Sequence, residues 1–182
     1  MKVTARNVRL SYAHVLEPVS KLSGEGEEYN CSLIFDPDNE TCAASLAAIE
    51  EALEAAAVTK FGPKAKSKLG KSLKYPVRDA DAEGKDDPAY AGKKFMNVRS
   101  QRRPQIVDRD MMPVVDEEEV YSGCYANVSL SVFAYDTSGS KGVSAGLNNI
   151  QVVKKGPRLS GAADASEDFE ALGDDDDLAE LD

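Results

Sequence analysis

Histidine, cysteine and long apolar runs are scarce in this 182-residue sequence, and each scarcity excludes a class of protein. Without a stretch of about eighteen apolar residues, the sequence predicts no membrane-spanning helix. The N-terminus lacks the apolar core of a secretory signal. Cys31, Cys42 and Cys124 are odd in number and have no CxxC spacing, which favours buried thiols in a reducing cytoplasm over disulfides or a zinc site. The single histidine, His14, has no nucleophile elbow with which to form a catalytic triad.

Basic residues are missing from the C-terminal end of the chain. Residues 161–182 contain ten acidic residues and no basic one, whereas residues 1–160 contain 22 of each. The net charge of −10 therefore comes from this end alone. We predict a folded, electrically neutral domain at 1–160 and a disordered acidic tail at 161–182, because the tail has too few apolar residues to offset the entropy lost on folding.

Alternation of apolar and polar residues predicts a chain that is mainly β. In the first strand Val8, Leu10 and Tyr12 fall on the buried side. The predicted strands are 3–16, 29–35, 94–99, 123–135 and 143–153. Five or six short strands with a single helix indicate an α+β fold built on a small OB-fold-like barrel.

One amphipathic helix is predicted from Glu40 to Thr59. Leu46, Ile49 and Leu53 recur at helical spacing, and glutamates occupy the other face. After it, residues 60–87 contain several glycines and prolines and predict an extended basic loop with room for one short helical turn. A loop of this length in a compact domain is usually functional or disordered.

Two segments match catalytic patterns in part. Residues 65–72 (AKSKLGKS) fit a relaxed phosphate loop, but such a loop follows a buried strand and opens a long helix, whereas here a helix precedes it and Pro76 interrupts it. Asp108, Asp110 and the acidic run 116–119 are the ligands that a metal-dependent nuclease would use. Consecutive side chains point in different directions, so a solvated acidic turn is the favoured interpretation.

Two basic stretches give the stronger indication. Residues 60–78 contain seven bases and residues 93–103 contain five, with no acid in either, and aromatic residues lie between them. Cations neutralise phosphates and aromatic faces stack on bases, so this pattern predicts sequence-tolerant binding of single-stranded DNA. The predicted contact residues are Lys64, Lys66, Lys68, Lys71, Lys74, Tyr75, Arg78, Tyr90, Lys93, Lys94, Phe95, Arg99, Arg102 and Arg103. The alternatives are the nuclease and a protein-interaction module that mimics DNA through its acidic tail.

The segments 100–108 (SQRRPQIVD) and 116–125 (DEEEVYSGCY) resemble a phage family of OB-fold single-stranded DNA-binding proteins, long labelled a domain of unknown function. The likeness continues through 133–135, 141–143 and 146–151. It implies an OB-fold, sequence-tolerant binding of single strands and a role in phage DNA replication or recombination. Because the residues assemble no catalytic site, we predict a binding protein without catalysis and without a cofactor, located in the cytoplasm (that of the host cell if the protein is encoded by a phage). The tails of many such proteins end in an aromatic residue, whereas this one ends in Leu181 and Asp182. The resemblance also implies that residues 161–182 contact replication or recombination proteins.

The charge distribution predicts that the tail inhibits DNA binding. A flexible chain of about twenty residues spans roughly 25 Å and reaches across a small domain, and its acids compete with phosphates for the cations. Removing residues 161–182 should tighten binding to a single-stranded oligonucleotide, most at low salt, where screening is weakest. The measurement is a titration of the full chain and of a chain ending at Ser160 at two salt concentrations. Equal affinities at both would leave the tail only a role in partner docking or solubility.

Overall fold

The computed structural model describes residues 1–159 and 170–172, so the predicted acidic tail lies almost wholly outside the described residues. Within this part the chain forms eight strands and two α-helices. In chain order they are β1 (Lys2–Ser20), β2 (Glu27–Phe35), α1 (Glu40–Phe61), α2 (Ala65–Leu69), β3 (Leu73–Lys74), β4 (Val77–Asp79), β5 (Lys94–Ser100), β6 (Gln105–Val107), β7 (Tyr125–Thr137) and β8 (Ser140–Lys154). None of the helices in the described part is long and apolar enough to cross a membrane.

Five of the strands close into a barrel. β1 pairs antiparallel with β2 and β7, β2 with β5, and β7 with β8. A parallel pairing of Arg99 in β5 with Gly146 in β8 closes the ring. The short strands β3, β4 and β6 add to its edges, on β8, β5 and β8 respectively. The OB-fold-like barrel predicted from the sequence is therefore confirmed.

Period-two alternation fills the barrel. Along β7, every second residue from Ala126 to Val132 is buried, and its neighbours are partly or fully exposed. Helix α1 packs against β1, β7 and β8 and buries Ile49, Leu53 and Ala57, as its spacing predicts. Asn39 caps the start of α1, where its Oδ1 accepts a hydrogen bond from the backbone N–H of Cys42 at 2.9 Å.

All three cysteines are free thiols buried in the core, as predicted. Burial raises the pKa of Cys31 to about 12, and the nearby Cys124 thiol contributes to the rise. Burial likewise raises the pKa values of Cys42 and Cys124. A thiol with a raised pKa is hardly ionised near neutral pH, so these cysteines are structural rather than reactive.

The segment 60–87 is more ordered than a basic loop. It contains the short helix α2, a 3-10 turn and the strands β3 and β4, so the described chain has two helices rather than the single one expected. β3 and β4 have two and three residues, too few to show an alternating pattern. They form because each hydrogen-bonds to a strand that is already in the barrel, β8 or β5.

The prediction that Tyr12 lies on the buried side of β1 is wrong. Tyr12 is 59% exposed, whereas its neighbour Ser11 is buried. The pairing of β1 with β2 shifts register between Ser11 and His14, and Tyr12 has a φ of 47°. This bulge turns Tyr12 outward and breaks the alternation on which the prediction depends.

Residues 155–159, here called the C-terminal strap, lie across the start of β7. The Tyr121 hydroxyl donates to the carbonyl of Gly156 at 2.8 Å, and Arg9 Nη2 donates to the carbonyl of Pro157 at 2.7 Å. The N–H of Leu159 donates to the carbonyl of Ser122 at 2.9 Å. The strap is therefore part of the folded body as far as Leu159, the last residue that the structure describes before residue 170.

Gly123 offers a test of strap packing. Its φ is 119°, and a Cβ atom would overlap the carbonyl oxygen of Pro157. We expect Gly123→Ala to lower the free energy of unfolding by about 3 kcal/mol, through backbone strain and overpacking together. Gly84 is the matched control, because its φ is 71° but nothing lies within 4 Å of a Cβ there. Gly84→Ala should cost only about 1 kcal/mol of strain. Similar losses in urea unfolding would contradict a tight contact at Gly123.

Candidate nucleic-acid interface

The outer face of β1, β2 and β5 carries polar side chains in cross-strand rows. Ser11 lies opposite Ser32, and Ser32 lies opposite Asn97. The Ser32 hydroxyl donates to Asn97 Oδ1, which leaves the Asn97 amide N–H groups for another partner. In the next row Asn30 lies opposite Arg99. These residues form a polar floor on the outside of the barrel.

A groove, here called the outer-face groove, runs over this floor. It consists of two cavities of about 500 and 210 Å³ that share Asn97 and Ser144. The side chains that line it include Tyr12, His14, Glu28, Asn30, Ser32, Lys74, Tyr75, Arg78, Lys85, Asn97, Arg99, Tyr135 and Ser144. Its dimensions and its mixture of ring faces, cations and hydrogen-bonding groups suit an extended polar ligand.

Lys85 is held in the groove by three aromatic rings. Its Nζ lies 5.7 Å from the ring centroid of Tyr12, 5.2 Å from that of Tyr90 and 5.0 Å from that of Phe95. Cation–π attraction positions the ammonium and leaves its charge in place, whereas a carboxylate partner would neutralise that charge. Within the described residues the Lys85 ammonium has no carboxylate within 4.0 Å, so its charge can act on a ligand.

Tyr90 and Phe95 lie against Lys85 but are not open to a ligand in the groove. Each is 1% exposed, and together with Ile34 and Ala80 they form a small second core outside the barrel. Their rings meet edge to face, with centroids 5.5 Å apart. Burial raises the pKa of the Tyr90 hydroxyl. The prediction that these rings stack on bases is contradicted by their burial; what they do contact is the Lys85 ammonium.

Four of the predicted contact residues, Lys74, Tyr75, Arg78 and Arg99, line the groove. Arg78 Nε also lies 3.3 Å from Glu83 Oε1, and this exposed ion pair leaves it accessible. Tyr75 is partly buried, which raises the pKa of its hydroxyl. The one carboxylate that lines the groove in the described part of the chain is Glu28, so the groove is positively charged.

The other predicted cations lie elsewhere on the surface. Lys94 Nζ lies 3.6 Å from Glu50 Oε1 of α1, and both Lys93 and Lys94 line a separate cavity beside that helix. Arg103 lines a cleft with Asp116 and Glu117. Arg102 is exposed between β5 and β6. The lysines on or beside α2, all exposed, are Lys64, Lys66, Lys68 and Lys71.

Several residues in or beside the groove escape sequence reasoning, among them Lys85, Tyr12, Tyr135 and Phe133. Lys85 stands among acids in the chain, so a count of charges does not select it. Alternation places Tyr12 in the core. Phe133 is 47% exposed, lies opposite Ser144 in the β7–β8 pairing and has its ring centroid 6.5 Å from that of Tyr135. The sequence could have indicated Phe133 through its position on the outer face of β7, because a large aromatic residue on that face does not fill the barrel core.

Among the carboxylates of the nuclease alternative, Asp108 and Asp116 accept hydrogen bonds from the backbone of their own turns. Asp108 Oδ1 accepts hydrogen bonds from the N–H groups of Asp110 and Met112, and Asp116 Oδ1 accepts one from Glu118. In residues 1–159 and 170–172, no three side chains of the metal-ligating types gather into a candidate site. The relaxed phosphate-loop segment contains the five-residue helix α2, preceded by α1 rather than by a strand.

Comparisons of the sequence with known proteins give matches to phage proteins. A family model described as "Enterobacter phage Enc34, ssDNA-binding protein" matches residues 1–179. A protein of Acyrthosiphon pisum secondary endosymbiont phage 1, named "Putative protein p50", is 31% identical over 180 residues, 94% of each chain.

Solved structures show the same fold. The single-stranded DNA-binding protein of bacteriophage Enc34, in complex with ssDNA, superimposes with a TM-score of 0.74 and 21% identity, over 87% of this chain and 89% of that one. The bacteriophage T7 single-stranded DNA-binding protein gp2.5 gives a TM-score of 0.59 and 14% identity, over 95% and 97% of the two chains.

Proposed function

This chain belongs to the phage single-stranded DNA-binding protein family represented by the Enterobacter phage Enc34 protein, and we propose that it binds single-stranded DNA in the outer-face groove. The binding is sequence-tolerant and non-catalytic, and it serves phage DNA replication or recombination in the host cytoplasm. The observation that carries this proposal is the Lys85 ammonium held by three rings above a polar floor. Such an arrangement offers a fixed cation beside groups that can contact bases.

Phosphate contacts are assigned to the cations along the groove. Lys85 and Arg99 line its larger cavity, and Lys74 and Arg78 line its smaller one. A strand that follows this path passes four cations and one carboxylate, so binding releases counterions and weakens as salt rises. Arg102, Arg103 and the lysines 64–71 are proposed to contact phosphates of the strand beyond the groove.

Base stacking is assigned to rings that are at least partly exposed. Tyr12 stands over the larger cavity, and Phe133 with Tyr135 stands beside the smaller one. Tyr75 lines the smaller cavity as well. Stacking on an aromatic face is worth about 1–3 kcal/mol per base and tolerates any sequence. The Asn97 amide between the two cavities can donate to base edges.

The acidic tail is proposed to compete with DNA for the groove and to contact replication or recombination proteins. The position of Leu159, the last described residue before the tail, supports competition with DNA. Leu159 packs against the second core formed around Tyr90 and Phe95, and the Lys85 ammonium lies against the same two rings. The tail therefore begins beside the proposed phosphate contacts, where tethering gives it a local concentration in about the millimolar range.

Preference for single strands tests the proposed function as a whole. We expect tighter binding to a single-stranded oligonucleotide than to a duplex of the same sequence at about 0.15 M salt. Stacking on Tyr12 and Phe133 requires unpaired bases, and the long helix α1 presents glutamates that repel a duplex. Fluorescence anisotropy of both ligands measures the ratio. Equal affinities would contradict the proposal, and hydrolysis of the labelled strand with magnesium would favour the nuclease instead.

Paired substitutions test the path of the strand. Lys85→Gln with Arg99→Gln should weaken binding to every sequence and reduce the slope of log affinity against log salt by about two, because each cation that neutralises a phosphate contributes about one to that slope. Arg102→Ala with Arg103→Ala should weaken binding less. Arg109→Gln with Lys155→Gln removes the same charge from a cleft outside the groove and serves as the control. If the control pair matched the Lys85 and Arg99 pair, only net charge would matter and the path would be wrong.

A further inference from the structure

Lysine side chains cluster around the short helix α2, beside the end of the groove that β3 borders. The set, here called the lysine patch, consists of Lys60, Lys64, Lys66, Lys68, Lys71 and Lys141. Five of them are exposed and Lys141 is partly exposed; its Nζ lies 5.9 Å from the ring centroid of Phe61, at the end of α1. Within the described residues none of these lysines has a carboxylate within 4.0 Å. Their charges therefore repel one another until an anion binds.

The lysine patch continues directly from the groove. Lys74 of β3 lines the smaller cavity of the groove, and Lys71 lies in the 3-10 turn immediately before that strand. β3 pairs with β8 through Leu73 and Lys141, and α2 packs against both the turn and β3. A strand that leaves the smaller cavity past Lys74 therefore reaches Lys71 and Lys141, and then α2.

The lysine patch lacks the exposed rings that make the groove suitable for unpaired bases. The only aromatic residue of the sequence 60–74 is Phe61, which is partly buried and packs against the barrel core. Unpaired bases on this surface would have no free ring on which to stack. Contacts between lysines and phosphates do not require unpaired bases, so this surface can accept a paired strand.

The charges of the lysine patch are spread over a broad surface. In α2, Ala65 is buried and Leu69 is partly buried, so these two residues form the inward face of the helix. Lys64, Lys66 and Lys68 are distributed around its outward face. Duplex DNA carries one charge per about 1.7 Å of its axis, twice the density of one of its strands. A duplex therefore neutralises more lysines of a broad surface than a single strand does.

Acidic residues near the lysine patch limit where a duplex can lie. Burial raises the pKa of the Tyr75 hydroxyl, and the negative charges of Glu54 and Glu50 add to the rise, so these two glutamates of α1 lie near the groove. Asp136 lies opposite one lysine of the patch in the β7–β8 pairing. Residues 55–78, which comprise the end of α1 and all of α2, contain no acid. A duplex is therefore attracted to this part of the surface and repelled from the middle of α1.

We propose that the lysine patch holds the duplex arm of a junction between single-stranded and double-stranded DNA, whose unpaired arm lies in the outer-face groove. The inference rests on the proposed function, in which the strand continues from the groove onto these lysines; it adds that the strand is paired there. The preferred ligand is then the boundary of a gap or an overhang. Because the patch adjoins one end of the groove, the duplex arm follows one end of the unpaired arm.

The test compares ligands by fluorescence anisotropy with the full chain. One ligand is a single strand of about eight nucleotides, within the range that one OB-fold covers. Two others carry that strand as the 5′ or the 3′ overhang of a short hairpin. We expect one polarity to bind about tenfold tighter than the single strand at about 0.15 M salt, with a slope of log affinity against log salt steeper by about two. A single strand extended to the same number of phosphates should gain less.

Paired substitutions connect this gain to the lysine patch. Lys66→Gln with Lys68→Gln removes two charges at exposed positions of α2 and keeps a good helix former at each. The ratio of junction affinity to single-strand affinity should fall towards one, and the additional salt slope should disappear. Arg109→Gln with Lys155→Gln, in the cleft outside the groove, removes the same charge and should keep the ratio. Binding of the single strand by each variant shows that it is folded.

The proposal would be overturned by a gain for neither polarity, by an equal gain for both, or by an equal gain for the extended single strand. Loss of the gain in the control pair would overturn it too. A gain that survives in Lys66→Gln with Lys68→Gln would leave the patch to an acidic protein segment. These failures differ from failure of the proposed function. A chain that binds the single strand without a junction gain contradicts only the patch, whereas a chain that does not bind the single strand contradicts the groove.

Discussion

Alternation along the barrel strands is the constraint on which the rest of this structure depends. A strand that buries Leu33 or Met96 inside the barrel must turn Ser32 or Asn97 to the outside. Because β1, β2 and β5 are neighbours, their outward residues form one continuous polar face. The groove is therefore a consequence of how the core is filled, and its floor cannot shift without moving apolar side chains into water.

The second core modifies this face. Tyr90 and Phe95 are large rings on the outer side of the barrel, and the loop 80–93 and Leu159 of the strap cover them. The two buried rings still act on the groove, because they attract the Lys85 ammonium. The rings that are at least partly exposed at the groove are Tyr12 of β1, Tyr135 of β7 and Tyr75 of the basic stretch 60–78, and Phe133 lies next to Tyr135. Of the predicted contact residues, Tyr90 and Phe95 therefore lie beneath the groove, whereas Lys74, Tyr75, Arg78 and Arg99 line it.

The sequence predicts most of the barrel and less of the site. Long elements such as α1 and β7 can be predicted from the sequence, because their apolar residues recur at one constant spacing over many residues. β3 and β4 could not, since two or three residues carry no period and their strand geometry comes from a neighbour. Tyr12 required knowledge of the bulge between Ser11 and His14. Lys85 is adjacent in sequence to Gly84 and Asp86, but its environment is made of rings from three separate segments, which only the folded chain brings together.

The buried thiols have a practical consequence. Because Cys31, Cys42 and Cys124 lie in the core with raised pKa values, the native chain has no readily ionised sulfur on its described surface. A cysteine introduced at an exposed position would then be the one site that a maleimide dye reaches quickly at neutral pH. Pairs of dyes could be attached without first replacing the native cysteines, whose removal would leave cavities in the core. The protein is in this sense already prepared for distance measurements in solution.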